Sequence, residues 1–121
     1  MNTIYLYLGA ALITIWGIGH IYPTRNIIAG YGDLSNDNLR ILIMEWLAEG
    51  LTLMFLGILV FLVTWLAPDS AGSVITIRAA AVMLIVLAFL SQLTGARTAI
   101  LPMRLCPIVK TTVAILYYIG S

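Results

Sequence analysis

Six ionisable residues in the hydrophobic segments of this chain have types and positions that could form one polar site. His20 lies near the end of the first apolar segment and Glu49 near the start of the second. Membrane helices alternate in direction, so these segment ends should meet at the same face of a bilayer. Charge inside a membrane is costly, and residues of this kind indicate a functional site. The candidates for ligand binding or proton handling are His20, Glu45, Glu49, Arg97, Arg104 and Lys110.

The two glutamates are four residues apart and therefore share one face of a helix. Two carboxylates this close in a low dielectric resist simultaneous ionisation. Glu45 and Glu49 are thus typical of a proton-handling or cation-binding site. The alternative for Glu45 is a position in the headgroup layer, paired with Arg40 or Arg104.

His20 is the only histidine, and it follows the sequence Gly17-Ile-Gly19. Its candidate roles are proton relay, ligand hydrogen bonding and metal binding. The structural alternative is a helix-end histidine that bonds a carboxylate or a carbonyl. The chain lacks the His-Glu-x-x-His spacing of a helical zinc site, so we predict no metal.

Lys110 and the two arginines form the cationic half of the predicted cluster. Glu49 is the natural partner for Lys110. Alternatively, Lys110, Arg97 and Arg104 hold an anionic group such as a phospholipid head or an acidic substrate. Arginines at helix boundaries also extend to the headgroups without any further role. Cys106 lies four residues before Lys110 and could share its face, although small-residue packing is the simpler explanation.

The composition is that of a membrane protein. The chain has 121 residues, of which 62% are hydrophobic and 9% charged, and its mean hydropathy is +1.07. Soluble domains average about 25% charged residues. The net charge of +1 gives no basic face for nucleic acid. The single cysteine excludes an internal disulfide, a thioredoxin-like pair, a cysteine zinc site and a c-type haem attachment.

Four apolar segments are long enough to span a bilayer, which takes about 20 residues. We predict an all-α integral membrane four-helix bundle, a single domain over residues 1–121. Pro23 and Pro68 end the first two segments, and a short interfacial helix is expected around 26–29. The first segment lacks the basic start and cleavage site of a signal peptide. The predicted helices are 4–21, 39–67, 74–94 and 102–120.

Aromatic residues give a depth scale for the second segment. Trp46 and Trp65 are 19 residues apart, which is about 28 Å at about 1.5 Å per residue. That length is close to the hydrocarbon thickness of about 30 Å, so the two residues mark opposite interfaces. On this scale Glu45 lies at the interface, and Glu49 lies one turn inside at the depth of His20.

The fourth segment has two possible starts. It begins at Pro102 and kinks at Pro107, or it begins at Pro107, where a first-turn proline is favourable. The second choice leaves about 21 Å of helix and makes 97–106 a loop buried in protein. We favour the kinked helix.

Basic residues set the expected orientation. The first and third connections carry Arg25, Arg40, Arg97 and Arg104, and the other face carries only Arg78 and the N-terminal amine. The positive-inside rule therefore places the polar cluster on the cytoplasmic side of a bacterial-type inner (plasma) membrane.

The segment Glu45-Trp-Leu-Ala-Glu49-Gly50-Leu-Thr-Leu-Met-Phe-Leu-Gly57 resembles the acidic, glycine-containing second helix of DoxX-like membrane proteins. The resemblance implies a compact four-helix bundle with links to quinone or thiol redox systems, or an accessory role beside larger membrane proteins. The basic, proline-broken start of the fourth helix departs from that family. Small multidrug resistance exporters are similar in length, but their essential glutamate lies in the first helix, where this chain has no carboxylate.

Three functional classes remain open. The leading one is a ligand-binding or accessory protein that holds a lipid, a quinone or another amphipathic molecule in a one-sided polar pocket. The second is a membrane enzyme acting on a lipid or quinone, with His20 and Glu49 as acid and base. The third is an oligomeric transporter that couples to protons through Glu49. The sequence identifies no cofactor, and the expected partners are the bilayer, further copies or a larger membrane complex.

Overall fold

A computed structural model describes all 121 residues, and the chain is entirely helical, as predicted. Four long helices are joined by two longer connections and one tight turn. A single 3-10 turn, Gly95–Arg97, lies in the last connection. The helices are α1 Thr3–Ile21, α2 Thr24–Ala29, α3 Asn36–Leu66, α4 Ala71–Leu93 and α5 Leu101–Gly120.

Three stretches of helix are long and apolar enough to cross a membrane: Thr3–Ile21, Asn36–Leu66 and Ala71–Arg97. Their outward faces carry large apolar side chains such as Ile15, which is 66% exposed, and Phe89, also 66% exposed. Soluble monomers rarely expose large apolar patches, so this surface indicates a lipid environment. The last helix, α5, is not among these three stretches.

Serine caps explain why two helices begin earlier than the hydrophobic pattern predicts. α3 starts at Asn36 instead of 39, because Ser35 Oγ accepts a hydrogen bond of 3.2 Å from the Asn38 amide. α4 starts at Ala71 instead of 74, because Ser70 Oγ accepts one of 3.1 Å from the Ser73 amide. The polar cap and first turn lie outside the apolar run from which the spans were predicted.

The short helix α2 also begins earlier than expected, at Thr24 rather than 26. Thr24 follows Pro23 directly, and its hydroxyl donates to the Ile21 carbonyl at the end of α1. The last carbonyls of a helix have no partner within it, so this bond ties the start of α2 to the end of α1.

The fourth long helix is continuous through its internal proline. α5 begins at Leu101, with Pro102 in its first turn and Pro107 inside. Proline has no amide hydrogen, so the usual bond to the Met103 carbonyl is absent at that point. The alternative in which 97–106 forms a loop and the helix begins at Pro107 is therefore wrong. Lys110 lies near the middle of α5 rather than in its first turn.

Small residues let α1 and α3 pack closely. A β-carbon on Gly17 would lie 2.7 Å from Met54 Cγ and 2.8 Å from the Gly50 carbonyl oxygen. A β-carbon on Gly57 would overlap Thr14 Oγ1. Each long helix packs against two others, α1 and α4 both contacting α3 and α5. Leucine, isoleucine and valine side chains, with Tyr117, fill the interior between them.

Contacts near the termini define two ends of the molecule. The Met1 amine pairs with Asp69 Oδ1 at 2.6 Å, and the Asn2 amide donates to the Gly120 carbonyl at 2.8 Å. Both termini and the α3–α4 turn therefore lie at one end, called here the terminal end. The connection through α2 and the α4–α5 connection lie at the other, the loop end. This arrangement brings the end of α1 beside the first half of α3.

Candidate functional site

A fully buried lysine is the centre of the polar cluster. The Lys110 side chain has 0% exposed surface, and its Nζ forms an ion pair with Glu49 Oε1. Nζ also donates to Ser91 Oγ over 2.7 Å. The Ser91 hydroxyl donates in turn to the Leu87 carbonyl of its own helix at 2.7 Å. The ammonium therefore has a carboxylate and a hydroxyl oxygen as acceptors, which a buried charge requires.

His20 lies on the other side of Glu49. Its side chain is 2% exposed, and its Nε2 is 3.9 Å from Glu49 Oε2, which is too long for a hydrogen bond. Neither ring nitrogen makes a hydrogen bond within the protein. The histidine is thus close enough to Glu49 to feel its charge and remains without a direct donor or acceptor.

Trp46 holds the histidine in place. Its indole stacks on the His20 ring with centroids 4.1 Å apart and planes 18° apart. The indole Nε1 donates to the His20 carbonyl oxygen over 3.0 Å. Because His20 is in the last turn of α1, its carbonyl has no partner within the helix. The tryptophan of α3 supplies that partner and packs α1 against α3 at the depth of the cluster.

A cavity of about 660 Å³ opens at the loop end and reaches Glu49. It lies between α2, the first half of α3 and the α4–α5 connection. Ligand pockets commonly have about 300–1,000 Å³. The Glu49 side chain is 35% exposed, so it is the one member of the trio of His20, Glu49 and Lys110 with access to this space. The main lining residues are Ile27, Tyr31, Trp46, Glu49, Ile100 and Met103.

The predicted site residues separate into two groups. His20, Glu49 and Lys110 come together, and the ion pair expected between Lys110 and Glu49 is present. Glu45, Arg97 and Arg104 are exposed and make no ion pair. None of those three lines the cavity.

The structure bears on two alternatives from the sequence. Glu45 is exposed on α3 and makes no ion pair with Arg40 or Arg104. The three basic residues are not grouped together, since Lys110 is turned inward to Glu49 while Arg97 and Arg104 are exposed.

Sequence reasoning missed two members of the cluster. Trp46 was assigned only to the membrane interface, although it lies three residues before Glu49 and so shares its helix face. Ser91 is one of three hydroxyl residues in α4, with Ser73 and Thr76, and its position opposite Lys110 depends on how α4 and α5 pack. The spacing could have indicated Trp46, whereas nothing in the sequence indicated Ser91.

Cys106 is buried and accepts a long hydrogen bond, 3.5 Å, from Trp16 Nε1. It therefore has a packing role between α5 and α1. No group of three or more histidine, cysteine, aspartate or glutamate side chains converges where a metal ion could be held.

Comparison of the chain with protein-family models, with curated proteins and with solved structures finds no match in any of the three. The resemblance to DoxX-like proteins therefore stays a prediction. The features that bear on function are the cavity and the polar trio of His20, Glu49 and Lys110.

Proposed function

We propose that this chain is a four-span membrane protein that binds a small amphipathic molecule in the loop-end cavity, in a non-catalytic or accessory role. The single observation that carries the proposal is the cavity that reaches Glu49 from the loop end. Its walls combine apolar and aromatic side chains with one carboxylate, as is usual for ligand sites.

The packing of α5 supports the fourth span. α5 has 20 residues, a length of about 30 Å at about 1.5 Å per residue. It lies against α1 and α4 and turns Lys110 into the interior, where Glu49 balances the charge. This packing supports the four-span bundle that we propose.

The distribution of arginines supports a cytoplasmic loop end. Arg25 lies in α2 and Arg40 near the start of α3, while Arg97 lies in the α4–α5 connection and Arg104 in the first turn of α5. All four are on the same end of the molecule as the cavity. The positive-inside rule places such an end in the cytoplasm.

The geometry favours binding over catalysis or transport. An acid–base enzyme would need both His20 and Glu49 at the substrate, but His20 is buried and does not line the cavity. A transporter would need a path to the terminal end. Between Glu49 and that end the interior is filled by apolar side chains such as Leu53 and Val60, both 0% exposed.

Native mass spectrometry of protein purified in mild detergent tests the proposal. Wild type should retain a small molecule of defined mass, and Gly95→Leu should lose it. Gly95 lines the cavity, and its added side chain has only Met103 near it, at 3.6 Å or more. Gly72→Leu is the matched control, since Gly72 lies on α4 near the terminal end and an added β-carbon there would have only Ser70 Oγ near it, at 4.0 Å.

The proposal fails if wild type carries no small molecule and instead retains a protein partner. It also fails if Gly95→Leu and Gly72→Leu retain the same molecule to the same extent, because the bound molecule would then occupy another site.

A further inference from the structure

We infer that the loop-end cavity selects an uncharged amphipathic molecule whose polar head donates a hydrogen bond, an alcohol or a phenol, to Glu49 Oε2. The inference rests on the proposed binding function and gives the chemical class of the ligand. It follows from the charge balance around Glu49 and from the hydrogen bonds that the cavity walls already make.

The charge balance disfavours a charged head. No lysine or arginine lines the cavity, so an anion would meet the Glu49 carboxylate with no basic side chain to compensate it. A cation would add a second positive charge beside a carboxylate that Lys110 already neutralises. In a low dielectric an unbalanced charge is costly. The site therefore fits a neutral head.

One oxygen of the Glu49 carboxylate accepts no hydrogen bond within the protein. Glu49 Oε1 accepts from Lys110 Nζ, whereas Oε2 has no donor closer than His20 Nε2 at 3.9 Å. Glu49 is the only member of the trio that lines the cavity. A ligand hydroxyl is thus the donor that the free oxygen lacks, and a hydrogen bond to a charged acceptor is one of the stronger kinds.

Three other hydrogen-bond donors in the lining are already used. Trp46 Nε1 donates to the His20 carbonyl at 3.0 Å. The hydroxyl of Thr94 donates to the Leu90 carbonyl and that of Thr98 to the Gly95 carbonyl, both at 2.7 Å. These side chains offer oxygen acceptors or aromatic surface and no free hydrogen. A ligand that only accepts hydrogen bonds therefore gains little from them.

The remaining lining residues contribute apolar surface and water access. Ile27 and Met103 are half-buried lining residues that suit a ring or a short alkyl chain. Asn26 and Tyr31 also line the cavity, but both are exposed, so their polar groups are met by water or headgroups. The preferred ligand places its hydroxyl inward at Glu49 and its apolar part toward the opening.

A matched set of probes tests the ligand class: 4-hexylphenol, its methyl ether 4-hexylanisole, 4-hexylbenzoate and 4-hexylbenzyltrimethylammonium. Binding to the purified protein is measured by calorimetry at one fixed detergent concentration. We expect the phenol to bind about tenfold more tightly than the ether, which keeps the shape and loses the donor. The benzoate and the ammonium should bind more weakly than the phenol.

A double variant links the preference to Glu49. Glu49→Leu with Lys110→Met removes the acceptor and leaves no unpaired buried charge, so the ratio of phenol to ether affinity should fall to near one. Glu45→Gln removes an exposed carboxylate four residues away and should keep the full ratio. A ratio is compared within each variant, so moderate losses of stability do not affect it.

Each other result contradicts the inference in a recognisable way. If wild type binds the ether, the benzoate or the ammonium as tightly as the phenol, the ligand class is wrong while the binding function stands. If the double variant keeps the preference, the hydroxyl does not bind Glu49. If no probe binds and no small molecule co-purifies, both this inference and the proposed function fail.

Discussion

At the scale of residues, the ion pair between Lys110 and Glu49 joins two side chains with different access to water. Lys110 is fully buried, whereas Glu49 is 35% exposed at the cavity. Removing one partner of a buried pair leaves an uncompensated charge. Removing Glu49 should destabilise the protein more than removing Lys110. The lysine left behind is fully buried, whereas a glutamate left behind can be solvated from the cavity.

The single and double variants of this pair should therefore be non-additive. Glu49→Gln should lower the free energy of unfolding by about 3 kcal/mol, Lys110→Met by less, and the double variant by less than Glu49→Gln alone. The measurement is unfolding of the detergent-solubilised protein by a denaturing detergent. Strictly additive losses would show that the two side chains do not act as a pair.

Trp46 should contribute to the stability of the protein through its hydrogen bond as well as through the stacking of its ring. Trp46→Phe keeps an aromatic ring beside His20 and removes the Nε1 donor to the His20 carbonyl. We expect a loss of about 1 kcal/mol in unfolding free energy. Trp65→Phe is the control, since Trp65 is 65% exposed and makes no hydrogen bond that would be lost. Equal effects of the two changes would contradict a specific role for Trp46.

At the scale of elements, the close contact of α1 with α3 depends on residues without a β-carbon. Gly57 has no room for one, because it would overlap Thr14 Oγ1 and lie 2.7 Å from the Ala10 carbonyl oxygen. Gly19, on the same pair of helices, has nothing within 4 Å. Substitution by alanine should therefore have opposite effects on stability at these two glycines.

Gly57→Ala should destabilise the protein by about 1–3 kcal/mol, as overpacking does. Gly19→Ala should be neutral or stabilising by up to about 1 kcal/mol, because alanine has the higher helix propensity. Thermal unfolding in a single detergent compares the two. A tolerated Gly57→Ala would mean that α1 and α3 are not packed as closely as described.

The elements also show what the sequence could and could not reveal. The apolar runs predicted the positions of the long helices, and Pro23 and Pro68 predicted two of their ends. The starts of α3 and α4 were missed because Ser35 and Ser70 belong to the polar side of the boundary. The trio of His20, Glu49 and Lys110 followed from helix alternation, whereas the cavity depends on how two connections lie over the loop end.

At the scale of the whole molecule, the number of spans decides on which sides the termini lie. The Asn2 amide bonds the Gly120 carbonyl at 2.8 Å, and Met1 pairs with Asp69 in the α3–α4 turn. Four spans agree with this arrangement, since an even number returns the chain to its starting side. Three spans would leave the two termini on opposite sides.

Labelling from the outside of intact cells tests both the span number and the orientation. In a Cys106→Ser background, Asn2→Cys and Ser121→Cys should both react with a membrane-impermeant maleimide, and Asp33→Cys in the α2–α3 connection should react only after permeabilisation. The reason is that the positive-inside rule places the arginine-rich loop end in the cytoplasm. Labelling of only one terminus would exclude the fourth span, whereas labelling of Asp33→Cys alone would reverse the orientation and leave four spans in place.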